Sequence, residues 1–106
     1  LSLAKKEIRA AFRNAVFGRD KNRCRVCGNG GNLDPHHVTN RKEFPNGGYV
    51  EENGISLCPP CHEKAEVWHR NHHADFVPGY HPDELYELIG SNREKAMEAD
   101  KLLANS

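Results

Sequence analysis

Apolar positions in the first part of the chain recur with a helical period. Leu3, Ile8, Ala11, Phe12, Ala15 and Val16 form a stripe over residues 3–17, with Lys and Arg on the other side. Gly18 is placed to end this helix. The pattern then breaks. Cys24-Arg25-Val26-Cys27-Gly28 reads as a tight loop whose glycine lets backbone amides approach the sulfurs. Asn29-Gly30-Gly31-Asn32 reads as a turn. A short strand is expected from Leu33 to Asn40, an irregular loop rich in Gly, Asn and Pro over 41–54, and a second strand at Ile55-Ser56-Leu57. Pro59 or Pro60 suits the first turn of a helix that runs to about His72. Residues 74–82 read as a linker. A last helical stretch starts at Pro82 and Asp83, breaks at Gly90-Ser91-Asn92 and resumes over Arg93–Ala104. The expected fold class is α+β: a ββα unit with helices on either side. The chain divides into a basic N-terminal helix (1–18), a core with both Cys pairs (19–73), and a linker with a C-terminal helical extension (74–106).

Composition adds a constraint. The chain has 106 residues, 37% of them hydrophobic and 28% charged, and a mean hydropathy of −0.82. So small and polar a chain is expected to need a staple besides its apolar core. No apolar run approaches the ~20 residues of a membrane span, Ala15-Val16-Phe17 being typical of the longest. The start carries no signal-peptide pattern, so the expected setting is cytoplasmic. The opening at Leu1 without a Met is what a piece of a longer protein, or a trimmed chain, would show.

Net charge is zero, but unevenly spread. Residues 1–48 hold ten basic and four acidic residues (net +6), and residues 49–106 hold five basic and eleven acidic (net −6). A basic half beside an acidic half suits a polyanion on one face.

The four cysteines, Cys24, Cys27, Cys58 and Cys61, form two CxxC pairs with 30 residues between them. With no sign of export, four thiolates around one tetrahedral Zn²⁺ are expected in place of disulfides. The gap exceeds the usual ~15–20 residues, so a sizeable insert lies between the pairs.

Two adjacent histidines, His36 and His37, fall on the first expected strand, where neighbours point to opposite faces. One can face a metal while the other faces a substrate; alternatively both lie on a polar surface. His62 follows Cys61 directly on the second helix, and Glu66 and His69 share its face. These three could present nitrogen and oxygen to one cation, or Glu66 could pair with a cation such as Arg70. Asn53 precedes Gly54 and reads either as a turn residue or as an amide reaching across the strand pair.

Together the segments Cys24-Arg-Val-Cys27, Asp34-Pro-His36-His37-Val, Asn53-Gly-Ile-Ser-Leu-Cys58 and Cys58-Pro-Pro-Cys61-His62 resemble the HNH endonuclease family, the His-Me finger or ββα-metal nucleases. The resemblance covers about residues 19–66 and rests on the order CxxC, HH, N, CxxCH. It implies DNA phosphodiester hydrolysis, by nicking or double-strand cleavage. His37 would be the general base, and Asn53 would orient it through a ring nitrogen and hold the loop. His36 and His62 would be ligands of a catalytic metal, with Glu66 as a third. Cys24, Cys27, Cys58 and Cys61 would match the zinc-bearing subset. Many members have Asp at the position of His36, and some a further His at that of Glu66. A site so rich in nitrogen accepts Mn²⁺, Ni²⁺ or Zn²⁺ as well as Mg²⁺. A divalent ion there would neutralise charge on the phosphoryl oxygens and the leaving 3′ oxygen.

The expected partner is DNA, contacted largely through its phosphates, within a setting such as a larger phage or restriction assembly. Arg41 and Lys42 beside the HH strand, and Arg23 and Arg25 at the first Cys pair, are the expected contacts, with Arg9 and Arg13 extending the face. Two other readings predict different results. A non-catalytic zinc module for nucleic acid or protein would not nick plasmid. A protein-interaction domain using the acidic C-terminal helices would show no salt-sensitive DNA binding.

Overall fold

The computed structural model describes residues 4–105; Leu3, first residue of the expected helical stripe, lies outside them. Along the described chain run α1 (Lys5–Arg19), β1 (Asp34–His37), β2 (Gly54–Leu57), α2 (Pro59–Arg70), α3 (Pro82–Leu88) and α4 (Arg93–Leu102). The fold is α+β. β1 and β2 form a two-stranded antiparallel sheet in which Asp34 faces Leu57, His36 faces Ile55 and His37 faces Gly54. With α2 they make the expected ββα unit. No helix among the described residues is long and apolar enough to cross a membrane.

Every residue of β2 is buried, because α1 covers one face and α2 with the C-terminal helices covers the other. Val16 and Phe12 carry the contact from α1. Val38, Phe44, Ile55, Leu57, Ala65, Leu85, Tyr86 and Ala96 form the main cluster, which also takes in Cys24, Cys58 and Cys61. A two-stranded hairpin is marginal alone, and here helices on both faces and the cysteine cluster support it.

The first helix does not stop at Gly18. It runs to Arg19 and ends where Lys21 and Asn22 take left-handed backbone, each at φ 56°. The cause is tertiary. The buried Asp20 carboxylate accepts from the Ser56 N–H at 2.9 Å, from Arg19 at 2.8 Å and from Arg25 at 3.2 Å, so the helix end is fixed to β2 and to the first Cys loop. Burial alone would raise the Asp20 pKa; the Arg19 and Ser56 hydrogen bonds outweigh it and hold the carboxyl below its usual range.

β1 is shorter than the stretch 33–40. Beyond His37 the backbone bonds to Asn53 instead of a strand: Val38 N–H to the Asn53 carbonyl and Thr39 N–H to Asn53 Oδ1, both at 2.9 Å. The loop 41–54 contains 3-10 turns at Arg41–Glu43 and Glu51–Asn53. α2 ends at Arg70, before His72, because His72 and His73 are left-handed and the His73 N–H returns to the Trp68 carbonyl. α3 and α4 occupy the predicted stretches, with His81 capping α3 through its ring. The buried Asp100 anchors α4 by accepting from Gly48 N–H at 2.7 Å and Asn46 N–H at 3.0 Å.

Gly54 is a buried strand residue, not the turn that Asn-Gly suggests. A Cβ there would collide with Val16 and the Phe12 ring. That close approach brings Phe12 against its cross-strand neighbour His37. Gly54→Ala is therefore expected to lower stability by about 1–3 kcal/mol, the usual range for overpacking. Urea unfolding against the parent protein checks this, and an unchanged midpoint would contradict it.

Candidate functional site

The hairpin places two sets of chemistry at different ends. Near its open end, where Asp34 faces Leu57, the two CxxC pairs meet. All four sulfurs lie within 4.8 Å of one another, with Cys27 and Cys58 Sγ 3.4 Å apart, and the cysteines are free of disulfides. The first loop is shaped by Gly28 at φ +81°, whose N–H donates to the Cys24 carbonyl at 2.9 Å. The Arg25 N–H donates to the Ser56 carbonyl at 2.9 Å and ties that loop to β2. Cys58 is the residue before α2, and Cys61 lies in its first turn.

Burial raises the Cys24 thiol, but the N–H groups of Cys27, Cys58 and Val26 outweigh it and bring the pKa down to about 6. Burial pushes the Cys61 thiol up to about 12, although the Tyr80 hydroxyl donates to its sulfur at 3.3 Å. Four crowded sulfurs resist ionising together unless a cation shares their charge. The cluster is positioned for a metal ion.

Farther along β1, His36 and His37 face opposite sides, as strand alternation requires. His36 is 2% exposed and turned toward α2. Its ring lies 5.1 Å from that of His62 and 5.5 Å from that of His69, centre to centre. The ligand atoms of His36, His62 and Glu66 all lie within 4.8 Å of one another. Glu66 Oε1 is 3.2 Å from His36 Nδ1 and 3.1 Å from His62 Nε2. Spacing of i, i+4 on α2 puts His62 and Glu66 on one face. The His36 and His62 imidazoles beside it hold the Glu66 carboxyl well below its usual range. The buried His36 Nε2 has no hydrogen-bond partner, and Nδ1 meets Glu66 Oε1 at 3.2 Å without hydrogen-bond geometry. Buried polar atoms are otherwise almost always satisfied, so this set fits a cation between the three side chains.

His62 is held from behind. Its Nδ1 lies 3.4 Å from Asp34 Oδ2, while Nε2 faces Glu66. A carboxylate behind a histidine fixes tautomer and orientation at metal sites. Sequence reasoning gave Asp34 no role; its place two residues before His36, on the same strand face, was the available signal. Arg70 pairs with Glu63, not Glu66. His69 stands beside this set instead of within it, and its Nε2 lies 3.3 Å from the His37 carbonyl oxygen.

His37 turns toward α1. Its ring stacks on Phe12 at 4.7 Å with a 27° tilt and meets the edge of Tyr49 at 4.8 Å. Burial, then the positive Arg41 nearby, lowers its pKa to about 4. The imidazole is therefore neutral around pH 7.

Asn53 departs from expectation. It is fully buried, and its Oδ1 accepts from Thr39 N–H at 2.9 Å and from the Tyr86 hydroxyl at 2.7 Å. Its Nδ2 donates to the carbonyls of Thr39 at 3.1 Å and Gly48 at 3.2 Å. These bonds hold the loop, but none goes to the His37 ring. The amide is occupied because the chain after His37 curls over it. Phe12 and Tyr49 hold the His37 ring instead, and sequence reasoning missed both. It also missed Tyr86, whose hydroxyl contacts Thr39 as well at 2.6 Å.

Of the expected DNA contacts, Arg41 lines the cleft in front of His36 and His37 and donates to the Tyr49 hydroxyl at 2.8 Å. Lys42 is exposed and outside that cleft. Arg23 donates to the Gly28 carbonyl at 3.2 Å, and Arg25 is engaged by Asp20 and the Leu88 carbonyl.

Residues 24–67 match the model of the family described as HNH endonuclease. No curated protein and no solved structure matches the chain. The matched segment spans both CxxC pairs, both strands, His36, His37, Asn53, His62 and Glu66.

Proposed function

We propose, from the match of residues 24–67 to the HNH endonuclease family model, that the chain hydrolyses DNA phosphodiester bonds with His37 as general base. One observation carries the reading: the ligand atoms of the buried His36, of His62 and of Glu66 converge within 4.8 Å on one face, while the neighbouring His37 stands neutral on the other.

His36, His62 and Glu66 would hold one divalent ion. Bound there, it supplies a Lewis acid for the phosphoryl oxygen and the leaving 3′ oxygen. The protein's own groups do the rest. Asp34 keeps His62 turned toward Glu66. Phe12 and Tyr49 fix the angle of the His37 ring, which takes a proton from the attacking water. Arg41, beside that ring, offers its guanidinium to a phosphate oxygen. Asn53 keeps the segment after His37 folded back on Gly48. Cys24, Cys27, Cys58 and Cys61 would bind one structural Zn²⁺ that fastens the first loop to the start of α2 and so keeps His62 against His36.

The test is supercoiled plasmid with the zinc-loaded chain, freed of loosely held metal by EDTA and given Mg²⁺, Mn²⁺, Ni²⁺ or Zn²⁺ in turn. Nicking or linearisation dependent on the added ion is expected; intact plasmid under every ion would overturn the proposal. Asp34→Asn is expected to raise the metal concentration for half-maximal nicking about 10–100-fold, the usual cost of losing such a support. Zinc content should stay at one per chain. An unshifted metal requirement would remove Asp34 from the site.

A further inference from the structure

We infer that the DNA strand reaches His37 over α1, its phosphates held by Arg9, Arg13 and Arg41 around the Tyr49 ring. This rests on the reading of the chain as a DNA-cleaving enzyme and assigns that enzyme its binding track.

Three clefts join end to end. The cleft at His36 and Glu66, about 370 Å³, shares His37 and Arg41 with a second of about 340 Å³ that Arg9, Arg13 and Tyr49 also line. The second shares Arg9 and Tyr49 with a third, about 370 Å³, which Lys5 borders. No carboxylate lines the second or the third. Two further clefts differ. The cleft beyond His69 sets Glu43 and Asp83 against Arg93, and the one along α4 sets Glu52, Glu94 and Glu98 against Lys95. A polyanion meets a net acidic lining there and an unopposed basic one along α1.

The pairing of the arginines points the same way. Of the eight in the chain, Arg19, Arg25, Arg70 and Arg93 are within 4 Å of a carboxylate. Arg23 is turned onto the Gly28 carbonyl. The other three are Arg9, Arg13 and Arg41, all bordering the second cleft, and no carboxylate pairs with them among the described residues. Aromatic rings place them instead. The Arg9 guanidinium lies 5.6 Å from the Tyr49 ring centre, Arg13 lies 4.8 Å from that of Phe17, and Arg41 donates to the Tyr49 hydroxyl. Rings position a guanidinium without neutralising it, so its N–H edges remain for phosphate oxygens. Arg9 and Arg13, four residues apart, share one face of α1.

The experiment measures binding apart from cleavage. Full-length zinc-loaded chain carrying His37→Ala is titrated onto a labelled DNA duplex by fluorescence anisotropy across a salt series. Adding Arg9→Gln and Arg13→Gln together should weaken binding and flatten the slope of log affinity against log salt by about two, one for each phosphate no longer neutralised. Adding Lys95→Gln and Lys101→Gln removes the same charge from the α4 side and should leave the slope unchanged. Both arginines are exposed, so the helix content by circular dichroism should not change. Equal effects from the two pairs, or none from the arginine pair, would overturn the track. With His37 present, plasmid nicking that is indifferent to the arginine pair sinks the track alone. Arginine-dependent binding by a chain that never nicks sinks the nuclease reading and leaves the track standing.

Discussion

His37→Ala is expected to lose about 10²–10⁴-fold in DNA cleavage rate, the usual contribution of a positioned general base, while keeping its zinc and its fold. The geometry says why the two effects separate. His37 is paired with Gly54 at one end of the hairpin, and the cysteines meet at the other, where Asp34 faces Leu57. Three residue steps along the strand, roughly 10 Å, separate them. His36, His62 and Glu66 converge on the face away from His37, so their hold on a divalent ion does not depend on its ring. The stability cost is that of removing one half-buried ring from Phe12 and Tyr49, about 1 kcal/mol. Plasmid nicking, zinc by elemental analysis and circular dichroism on one preparation distinguish the cases. Full activity in this variant would remove His37 as the base. Lost activity with lost zinc would mean that the ring serves the fold.

The parts of this site that were legible in the sequence share a property: short-range geometry decides them. Two CxxC pairs, two neighbouring residues on a strand, and an i, i+4 pair on a helix carry their spatial relation in their spacing. Hence the cysteine cluster, the opposed faces of His36 and His37, and the approach of His62 and Glu66 could be expected. The ββα order could be read for the same reason, since Pro59 and Pro60 mark a helix start.

What could not be read depends on tertiary contacts. Gly18 lies inside α1 because Asp20 is drawn to Ser56, 36 residues away. Asn53 holds Thr39, Gly48 and Tyr86 instead of His37, and the Tyr86 hydroxyl comes from α3, 33 residues away. Likewise Phe12 and Tyr49 hold the His37 ring from a helix and a loop that no local pattern connects. Arg25 looked free in sequence, yet a buried carboxylate claims it. A surface cation and a structural one have the same letter. Only the surroundings distinguish them.

If the four cysteines hold zinc as proposed, removing it is expected to unfold the chain, not merely to silence it. Sulfur is part of the core here: Cys24, Cys58 and Cys61 are buried in one cluster with Ile55 and Leu57. The hairpin offers only two strands of four residues, too little for independent stability. The first Cys loop has no helix or strand of its own. Apparent binding energies of structural zinc near pH 7 are about 10–16 kcal/mol, against a total stability of about 5–15 kcal/mol for an ordinary domain. Loss of a term that large leaves no margin. A strong chelator under reducing conditions, or Cys58→Ser, should abolish the cooperative thermal transition. Any helical signal that remains should come from α1, whose buried Phe12 and Val16 lie outside the cysteine cluster. EDTA mild enough to strip only the ion at His36, His62 and Glu66 should leave the transition in place, because two nitrogens and a carboxylate at a half-open site hold metal less firmly than four thiolates. An unaltered melting temperature after complete zinc removal would show that the helices alone sustain the hairpin, and the cysteines would then need another explanation.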